Sequence, residues 1–350
     1  MIRVRLAEQS DREKWDAYVN SHPDASPYHV FAWGLAVKQA YGHKVYYFLA
    51  ENDQAVVGLL PAVQLKLPFF LNELVALPYC DVGGCLCDDQ EACEAILAEF
   101  MALGRKIKAN KIQLRGHMEF SPAQQFNCLK ERRNKVRMLL DLPESSEVLM
   151  KSFKSKLRSQ VKKAEKNDLV FQWGGDPELD KYYAVLSENM HALGSPVHSR
   201  ELFRAVLQHF QEKAKIGLVY FQQKPVAAGL ILMNGKMVSV PWASTLRTYN
   251  RLSPNMLLYW NFLKYSADNG YNLFDFGRSS KGEGTYKFKA QWGAQSIPLD
   301  WYSLQLCDRP PQNNNQAGMT GRDFFAGIWQ KIPLQLANYL GPRLRRYISL

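Results

Sequence analysis

The chain has 350 residues, of which 47% are hydrophobic and 22% charged, and its formal net charge is +11. This length predicts two domains of ordinary size, and the composition excludes a collagen-like or largely disordered chain. The basic excess favours nucleic acids, phosphates or an anionic membrane surface as partners, without choosing among them.

The cysteines and the N-terminus bear on the compartment. The six cysteines include no Cys-x-x-Cys pair, and their spacing fits no common zinc pattern. We therefore expect reduced structural thiols, no metal and no redox cofactor. Residues 1–6 lack the apolar core of a signal peptide, and no apolar run approaches the roughly 18 residues of a spanning helix. A cytoplasmic protein, or one held at the inner face of the cytoplasmic membrane, is expected.

In the first half of the chain, a capping box at Ser10–Glu13 predicts a helix to about Asn20. Two apolar runs, 46–51 and 55–61, are joined by a short polar turn and predict a hairpin. A helical pattern over 91–108 and an extended stretch over 111–115 follow.

The second half repeats this order. Ser145 or Ser146 predicts the start of a long helix to about Asn167, and further helices are predicted over 176–193 and 199–213. A hairpin follows over 216–231, then a second tight turn at Asn234-Gly235, a helix over 255–269 and a strand over 272–276.

A hairpin, a helix and a closing strand thus occur twice, which indicates tandem duplication of one α/β unit. We predict an α/β fold with mixed sheets and flanking helices. The predicted organisation is an N-terminal domain over 1–143, a C-terminal domain with the active site over 144–306, a flexible linker over 307–321 and a basic amphipathic tail over 322–350.

Four cations recur every four residues in the predicted long helix and form one stripe, called the basic stripe: Lys154, Arg158, Lys162 and Lys166. Like charges at this spacing each cost about 0.2–0.5 kcal/mol unless an anion neutralises them. The stripe is either a solvated face or a platform for tRNA, or for the diphosphate of a nucleotide- or lipid-linked sugar.

The segment 274–293 is the most informative in the chain. A strand ends in Gly-Arg-Ser-Ser and runs into a glycine-containing loop, and the following residues mix aromatics, cations and an amide. This composition is typical of an anion or acyl-carrier pocket, although a basic loop that only packs its aromatics is the alternative. The candidate binding residues here are Arg278, Lys287, Lys289 and Gln291.

A second group of candidates lies at a predicted strand-to-helix junction, where Ser253 and Pro254 begin a helix whose free N–H groups could bind an anion. The candidates are Trp242, Ser244, Tyr249, Asn250 and Asn255. Acyl transfer also requires proton transfer, for which Asp275, Tyr286 and His191 are the candidates. No Ser-His-Asp or Cys-His spacing predicts a covalent nucleophile.

These segments carry a family resemblance. FDFGRSS (274–280), GTYKFKAQWGA (284–294), VPWASTLRTYN (240–250) and SPNMLLYW (253–260) resemble the FemAB-type branch of the GNAT-fold transferases. They are most similar to members associated with exosortase (PEP-CTERM) and exopolysaccharide loci. The resemblance runs from about residue 28 to residue 301.

The resemblance implies two tandem GNAT-like domains and direct transfer of an aminoacyl or acyl group, without a covalent enzyme intermediate. The acceptor would be an amine or hydroxyl of a cell-envelope or exopolysaccharide precursor, on a nucleotide- or lipid-linked sugar. No tightly bound cofactor is implied, and the donor is aminoacyl-tRNA or acyl-CoA. Arg247, Asn250 and Arg251 stand where the glycine-rich donor signature is expected, so the donor stays open. The alternative is a non-catalytic module that binds RNA or a membrane surface through the basic stripe.

The tail over 322–350 combines a Trp- and Phe-rich apolar face with three closing arginines. Such a face suits either a helix in the interface of an anionic bilayer or a helix docked on the protein body. We expect one of these two arrangements.

Overall fold

The computed structural model describes residues 1–116, 129–131, 134–305 and 324–349. The predicted linker over 307–321, together with Cys128 and Cys307, lies outside these residues. The strands form two sheets, and each sheet contains an antiparallel hairpin built from long apolar runs.

The first sheet has the strand order β1-β2-β3-β4-β6-β15-β7, with β5 also paired to β3. Its strands are β1 (Arg3–Leu6), β2 (Lys44–Asn52), β3 (Ala55–Leu67), β4 (Leu71–Val75), β5 (Leu86–Cys87), β6 (Lys111–Arg115), β7 (Leu129–Glu131) and β15 (Trp301–Gln305).

The second sheet has the order β14-β8-β13-β12-β11-β10-β9. Its strands are β8 (Lys135–Asp141), β9 (Leu169–Gly174), β10 (Ala214–Phe221), β11 (Lys224–Asn234), β12 (Met237–Thr245), β13 (Leu273–Ser280) and β14 (Gln295–Pro298). The tight turn predicted at Asn234-Gly235 joins β11 to β12, and Gly235 supplies the positive φ of +53°.

Ten helices of known bounds flank the sheets in the described part of the chain. They are α1 (Arg12–Ser21), α2 (Phe31–Tyr41), α3 (Gln90–Lys106), α4 (Ser146–Ser152), α5 (Ser155–Glu165), α6 (Leu179–Ala192), α7 (Arg200–Phe210), α8 (Pro254–Asp268), α9 (Gly284–Ala290) and α10 (Leu334–Arg345). None of the described helices is both long and apolar enough to cross a bilayer.

The predicted duplication is visible in the topology. In the first sheet α3 connects the parallel strands β4 and β6, and in the second α8 connects the parallel strands β12 and β13. Strand pairing nevertheless crosses the predicted boundaries, because β8 pairs with β13 while β15 pairs with β6. The domain limits at 143 and 306 therefore stay predictions, and each half contributes one strand to the other half's sheet.

One apolar core joins the two halves. Helices α1 and α2 of the first half and α6 and α7 of the second share this core with one face of each sheet. Trp33 of α2 stacks on Trp242 of β12, with the ring centroids 5.9 Å apart. The outer faces of the sheets are covered by α3 on the first and by α5 and α8 on the second.

Two local predictions were wrong. The long helix expected to run to about Asn167 is interrupted at Phe153 and Lys154, whose ψ angles are 146° and 147°. The break buries the Phe153 ring near Trp260 and Trp292, at centroid distances of 6.1 and 5.5 Å. Tertiary packing of one aromatic thus overrides the helical pattern.

The second correction concerns the residues after β13. The glycine-containing loop expected after Gly277 is shorter than predicted, because β13 continues to Ser280 and Gly284 already begins α9. The capping box expected at Ser10–Glu13 is also replaced. The Asp11 carboxylate instead accepts the backbone N–H of Glu8 at 2.8 Å, ahead of α1.

Candidate functional site

The parallel strands β12 and β13 are paired only from Met237–Leu273 to Ser239–Asp275. Beyond this point β13 is irregular between Asp275 and Arg278 and pairs with β8 alone. Gly277 sits in the irregularity with a φ of +73°, a conformation that side chains disfavour, and its N–H donates to Asp275 Oδ1 at 2.7 Å. The bulge aims the polar end of β13 away from β12 and opens the sheet at this place.

Asp275 lies on the opposite face of β13 from Phe274 and Phe276, as its alternation with them predicts, but it is buried and fully engaged. Its Oδ2 is 2.9 Å from Nε of Arg137 and accepts the Ser239 hydroxyl at 3.3 Å. Together with the Gly277 N–H, three donors surround one carboxylate. This arrangement fixes Arg137 and the bulge.

A small cavity of about 190 Å³ lies on this face of the sheet. It is lined by Arg137, Met237 and Leu273 from the second sheet and by His29 from the first half of the chain. Burial lowers the pKa of His29 to about 3, so its ring is neutral at physiological pH. It contacts the Ser26 hydroxyl and the Gly84 carbonyl oxygen, at 2.9 and 3.2 Å.

Arg278 and Lys289 meet at the end of β13. Lys289 Nζ donates to the Arg278 carbonyl oxygen at 2.8 Å. Asp81, from the first half of the chain, accepts the Arg278 N–H at 3.2 Å and lies 3.4 Å from its guanidinium Nε. We call Asp81, Arg137, Asp275, Arg278 and Lys289 the charged cluster, which carries three cations and two acids.

Lys289 is the unusual member of the charged cluster. Its side chain is buried, and burial lowers its pKa to about 8, although Asp81 and Asp275 act in the opposite direction. A lysine with this pKa is mostly protonated at pH 7 and can release its proton close to neutral pH. Perturbed lysines of this kind are concentrated at functional sites.

Two predicted binding residues on β12 belong to the shared core. Trp242 packs edge-to-face on Phe203, with the ring centroids 5.0 Å apart, and stacks on Trp33. Ser244 is buried, and its hydroxyl accepts Asn189 Nδ2 at 3.1 Å. These contacts hold the two halves together, and neither side chain joins the charged cluster.

Three further candidates lie where β12 leads into α8. Tyr249 sits in a 3₁₀ turn with Lys224 Nζ 5.5 Å from its ring centroid, and Asn250 is exposed. Asn255 is partly buried at the second residue of α8. Gln291 reaches the same end of α8, because its Nε2 is 3.7 Å from Met256 Sδ. The structure therefore groups these residues at the N-terminus of α8.

The remaining candidates are separate. Tyr286 packs against the second sheet's outer core, and Lys287 is exposed on α9. His191 contacts the C-terminal segment, with Nε2 2.9 Å from the Ile332 carbonyl oxygen. His191 is thus placed against the tail rather than beside Asp275.

The basic stripe survives the break in its helix. Arg158 and Lys162 lie within α5, whereas Lys154 and Lys166 flank it as end residues. A groove of about 750 Å³ opens beside the break, with Lys154 and Lys156 at one side and Gln291 and Trp292 at the other. The groove lies within the volume range of small-molecule sites.

Sequence reasoning missed Asp81 and Arg137. Asp81 lies in a loop rich in glycine and proline, and Arg137 lies in a strand where Lys135, Arg137 and Leu139 share one face. A cation on a strand face that is otherwise apolar was the available signal for Arg137. Asp81 is brought to β13 only by the packing of the two halves.

The comparisons with known proteins agree with this topology. Residues 151–290 match the acetyltransferase (GNAT) domain family. No curated protein matches the chain in sequence. The fold is similar to that of a solved FemX structure, with a TM-score of 0.66 and 15% identity over 87% of this chain and 97% of that one.

Two other solved structures extend the likeness. L-PGS from Bacillus licheniformis has a TM-score of 0.58 and 12% identity, with 94% of this chain and all of that one covered. A tandem GNAT protein from the clavulanic acid biosynthesis pathway has a TM-score of 0.54 and 10% identity, with 89% and 100% covered. The predicted α/β fold with two GNAT-like units is therefore confirmed, and the second half carries a GNAT-type domain.

Proposed function

We propose that this protein is a FemAB-like transferase that moves an aminoacyl or acyl group directly onto an amine or hydroxyl of a cell-envelope or exopolysaccharide precursor. The single observation that carries the proposal is the charged cluster where β12 and β13 separate, inside the segment that matches the GNAT domain family. Similar folds include FemX and a protein named lysylphosphatidylglycerol synthetase, from Agrobacterium fabrum, with a TM-score of 0.57.

Direct transfer needs a group that binds the anionic part of the substrate and donors that stabilise the oxyanion of the tetrahedral intermediate. Arg278 is half-buried beside Asp81, so its guanidinium is held at the edge of the site. Protonated Lys289 lies directly behind it. We assign anion binding to Arg278, and stabilisation of developing negative charge, with proton donation to the leaving group, to Lys289.

A buried hydroxyl supports the same location. Ser279 is the next residue on β13, and its Oγ has no hydrogen-bond partner among the residues that the structure describes. An unpaired buried polar group costs about 1–3 kcal/mol, and bound substrate would remove that cost. The three donors on Asp275 assign it to positioning Arg137 and the bulge, which leaves the general base open among the predicted candidates.

The donor remains either acyl-CoA or aminoacyl-tRNA. The basic stripe favours tRNA, because Lys154, Lys162 and Lys166 are exposed and spaced along one helix. The N-terminus of α8, with Arg247 and Arg251 exposed beside it, would suit the phosphates of either donor.

Attachment to a membrane would bring the site close to a lipid-linked acceptor. The tail docks on the body through Trp329, Ala337 and the Ser349 carbonyl oxygen, which accepts Arg115 at 3.0 Å. Docking leaves other tail side chains exposed, among them Phe324 and Ile328.

A second exposed apolar feature lies at the tip of the β3–β4 hairpin. Phe69 and Phe70 are 104% and 84% exposed, and neighbouring Lys44, Lys66 and Lys108 are exposed as well. Aromatic side chains surrounded by cations suit the interface of an anionic bilayer, where each cation contributes about 1 kcal/mol. We include contact with such a surface in the proposal.

The experiment is a transfer assay with purified protein, a cell-envelope precursor extract and either total aminoacyl-tRNA or a mixture of acyl-CoA. Mass spectrometry of the extract should show one precursor gaining the mass of an aminoacyl or acyl group with one donor class. No mass gain with either donor, together with saturable binding of tRNA or of vesicles, would favour the alternative of a non-catalytic RNA- or membrane-surface-binding module.

A further inference from the structure

Three cysteines of the first half meet outside the site described above. The Sγ atoms of Cys85, Cys87 and Cys93 all lie within 4.8 Å of one another, and those of Cys85 and Cys87 are 3.3 Å apart. Their spacing in the chain matches no common zinc pattern, so only the fold brings them together. We propose that these three thiols bind one thiophilic divalent cation, with Zn²⁺ as the expected metal.

The distances suit this coordination. A Zn–S bond of about 2.3 Å in tetrahedral geometry separates two ligand sulfurs by roughly 3.8 Å. The observed separations bracket this value, so the side chains need to move by about 1 Å or less. Three thiolates would leave the fourth position to an oxygen ligand, as in sites that keep one open position.

The backbone around the thiols is well anchored. Cys87 belongs to β5 and pairs with Gly58 of β3, and Cys93 lies in the first turn of the 17-residue helix α3. The Asp89 carboxylate caps that helix by accepting the Ala92 N–H at 2.8 Å. The N-terminus of a helix stabilises negative charge, which favours thiolate ligands at this place.

The thiols are accessible from one side. Cys85 and Cys93 are buried among apolar residues of the first sheet's outer core, whereas Cys87 is only partly buried. A cation would enter past Cys87 and displace the thiol protons to the buffer. The site lies on the first sheet, whereas the proposed transfer site lies at β13, so the two proposals stand independently.

The test uses untagged, reduced, metal-free full-length protein carrying Cys128→Ser and Cys307→Ser, titrated with Co²⁺ and then with Zn²⁺. We expect sulfur-to-cobalt charge-transfer absorption that saturates at one equivalent, proton release on binding, and displacement of cobalt by zinc. Cys87→Ser and Cys93→Ser should each weaken binding by more than about tenfold, since each removes one of three ligands.

Cys80→Ser is the matched control, because Cys80 is buried but contacts only the Leu77 and Val82 carbonyl oxygens. It should bind cobalt like the parent protein. Far-ultraviolet circular dichroism checks that each variant is folded, and the partly exposed position of Cys87 makes Cys87→Ser the safer variant. Absence of charge-transfer absorption, unchanged binding in Cys87→Ser, or equal loss in Cys80→Ser would overturn the proposal.

Discussion

Replacing Lys289 with methionine should stabilise the protein at neutral pH while it impairs transfer. Methionine keeps the length and apolar volume of the lysine side chain but removes the buried ammonium group. The lysine is buried and its pKa is about 8, compared with an ordinary value of 10.5. Its charge is therefore held in the folded state at a cost.

The size of that cost follows from the pKa. The interval from 10.5 to about 8 corresponds to roughly 3.4 kcal/mol, at about 1.36 kcal/mol per pH unit. Methionine also loses the hydrogen bond to the Arg278 carbonyl oxygen, which contributes about 1 kcal/mol. The variant should thus gain about 2 kcal/mol in free energy of unfolding at pH 7.

The sign of the pH dependence is fixed by proton binding. Between pH 8 and pH 10.5 the unfolded chain keeps the lysine proton that the folded protein has released, so the stability of the parent protein rises with pH relative to the variant. The variant's advantage should be largest below pH 8 and should vanish as the pH approaches 10.5. Urea unfolding of both proteins at a series of pH values measures this.

Two outcomes would refute the reasoning about Lys289. One is a loss of stability in Lys289→Met at pH 7, and the other is a stability difference that does not change between pH 7 and pH 10. Lys264→Met, on the surface of α8, is the control and should leave the pH dependence unchanged. If protonated Lys289 acts in transfer, the parent protein's rate should also fall as the pH rises through about 8.

Three further predictions concern the basic stripe, the bulge and the membrane. Arg158→Glu with Lys162→Glu should raise the KM for tRNA and flatten its salt dependence by about two phosphate contacts, whereas the control Lys156→Glu with Lys163→Glu should do so less; equal effects of the two pairs would make the stripe a solvated face. Gly277→Ala should lower the free energy of unfolding by about 1–2 kcal/mol because of its positive φ, and Gly284→Ala, which meets no neighbouring atom, should not; comparable urea midpoints would contradict this. Phe69→Ser with Phe70→Ser should reduce co-sedimentation with anionic vesicles, as should deletion of residues 322–350, and binding that neither change alters, or no binding at low salt, would eliminate membrane contact.

Much of the fold could be predicted because its signals are local. The Asn234-Gly235 turn, the strand over 111–115 and the helix after Pro254 each depend on a few neighbouring residues, and each is present. The break at Phe153 could not be predicted in this way. It depends on Trp260 and Trp292, which lie more than a hundred residues further along the chain.

The same division applies to the site. Arg278 and Lys289 were found from their segment alone, because cations beside glycine and hydroxyl residues are unusual at a strand end. Their partner Asp81 is 197 residues away from Arg278 and reaches it only through the packing of the two halves. Burial decided the rest, since Lys289 and Lys287 are alike in sequence but only Lys289 is buried.

The most direct test of the central claim is the transfer assay with Arg278→Ala. Arg278 is half-buried and pairs with one carboxylate, so its loss should change the melting temperature only slightly. Arg200→Ala, which removes a surface ion pair with Asp180, is the matched control. The account predicts that Arg278→Ala stays folded but no longer transfers the group, while Arg200→Ala transfers it at the parent rate. Full transfer by folded Arg278→Ala would contradict the account.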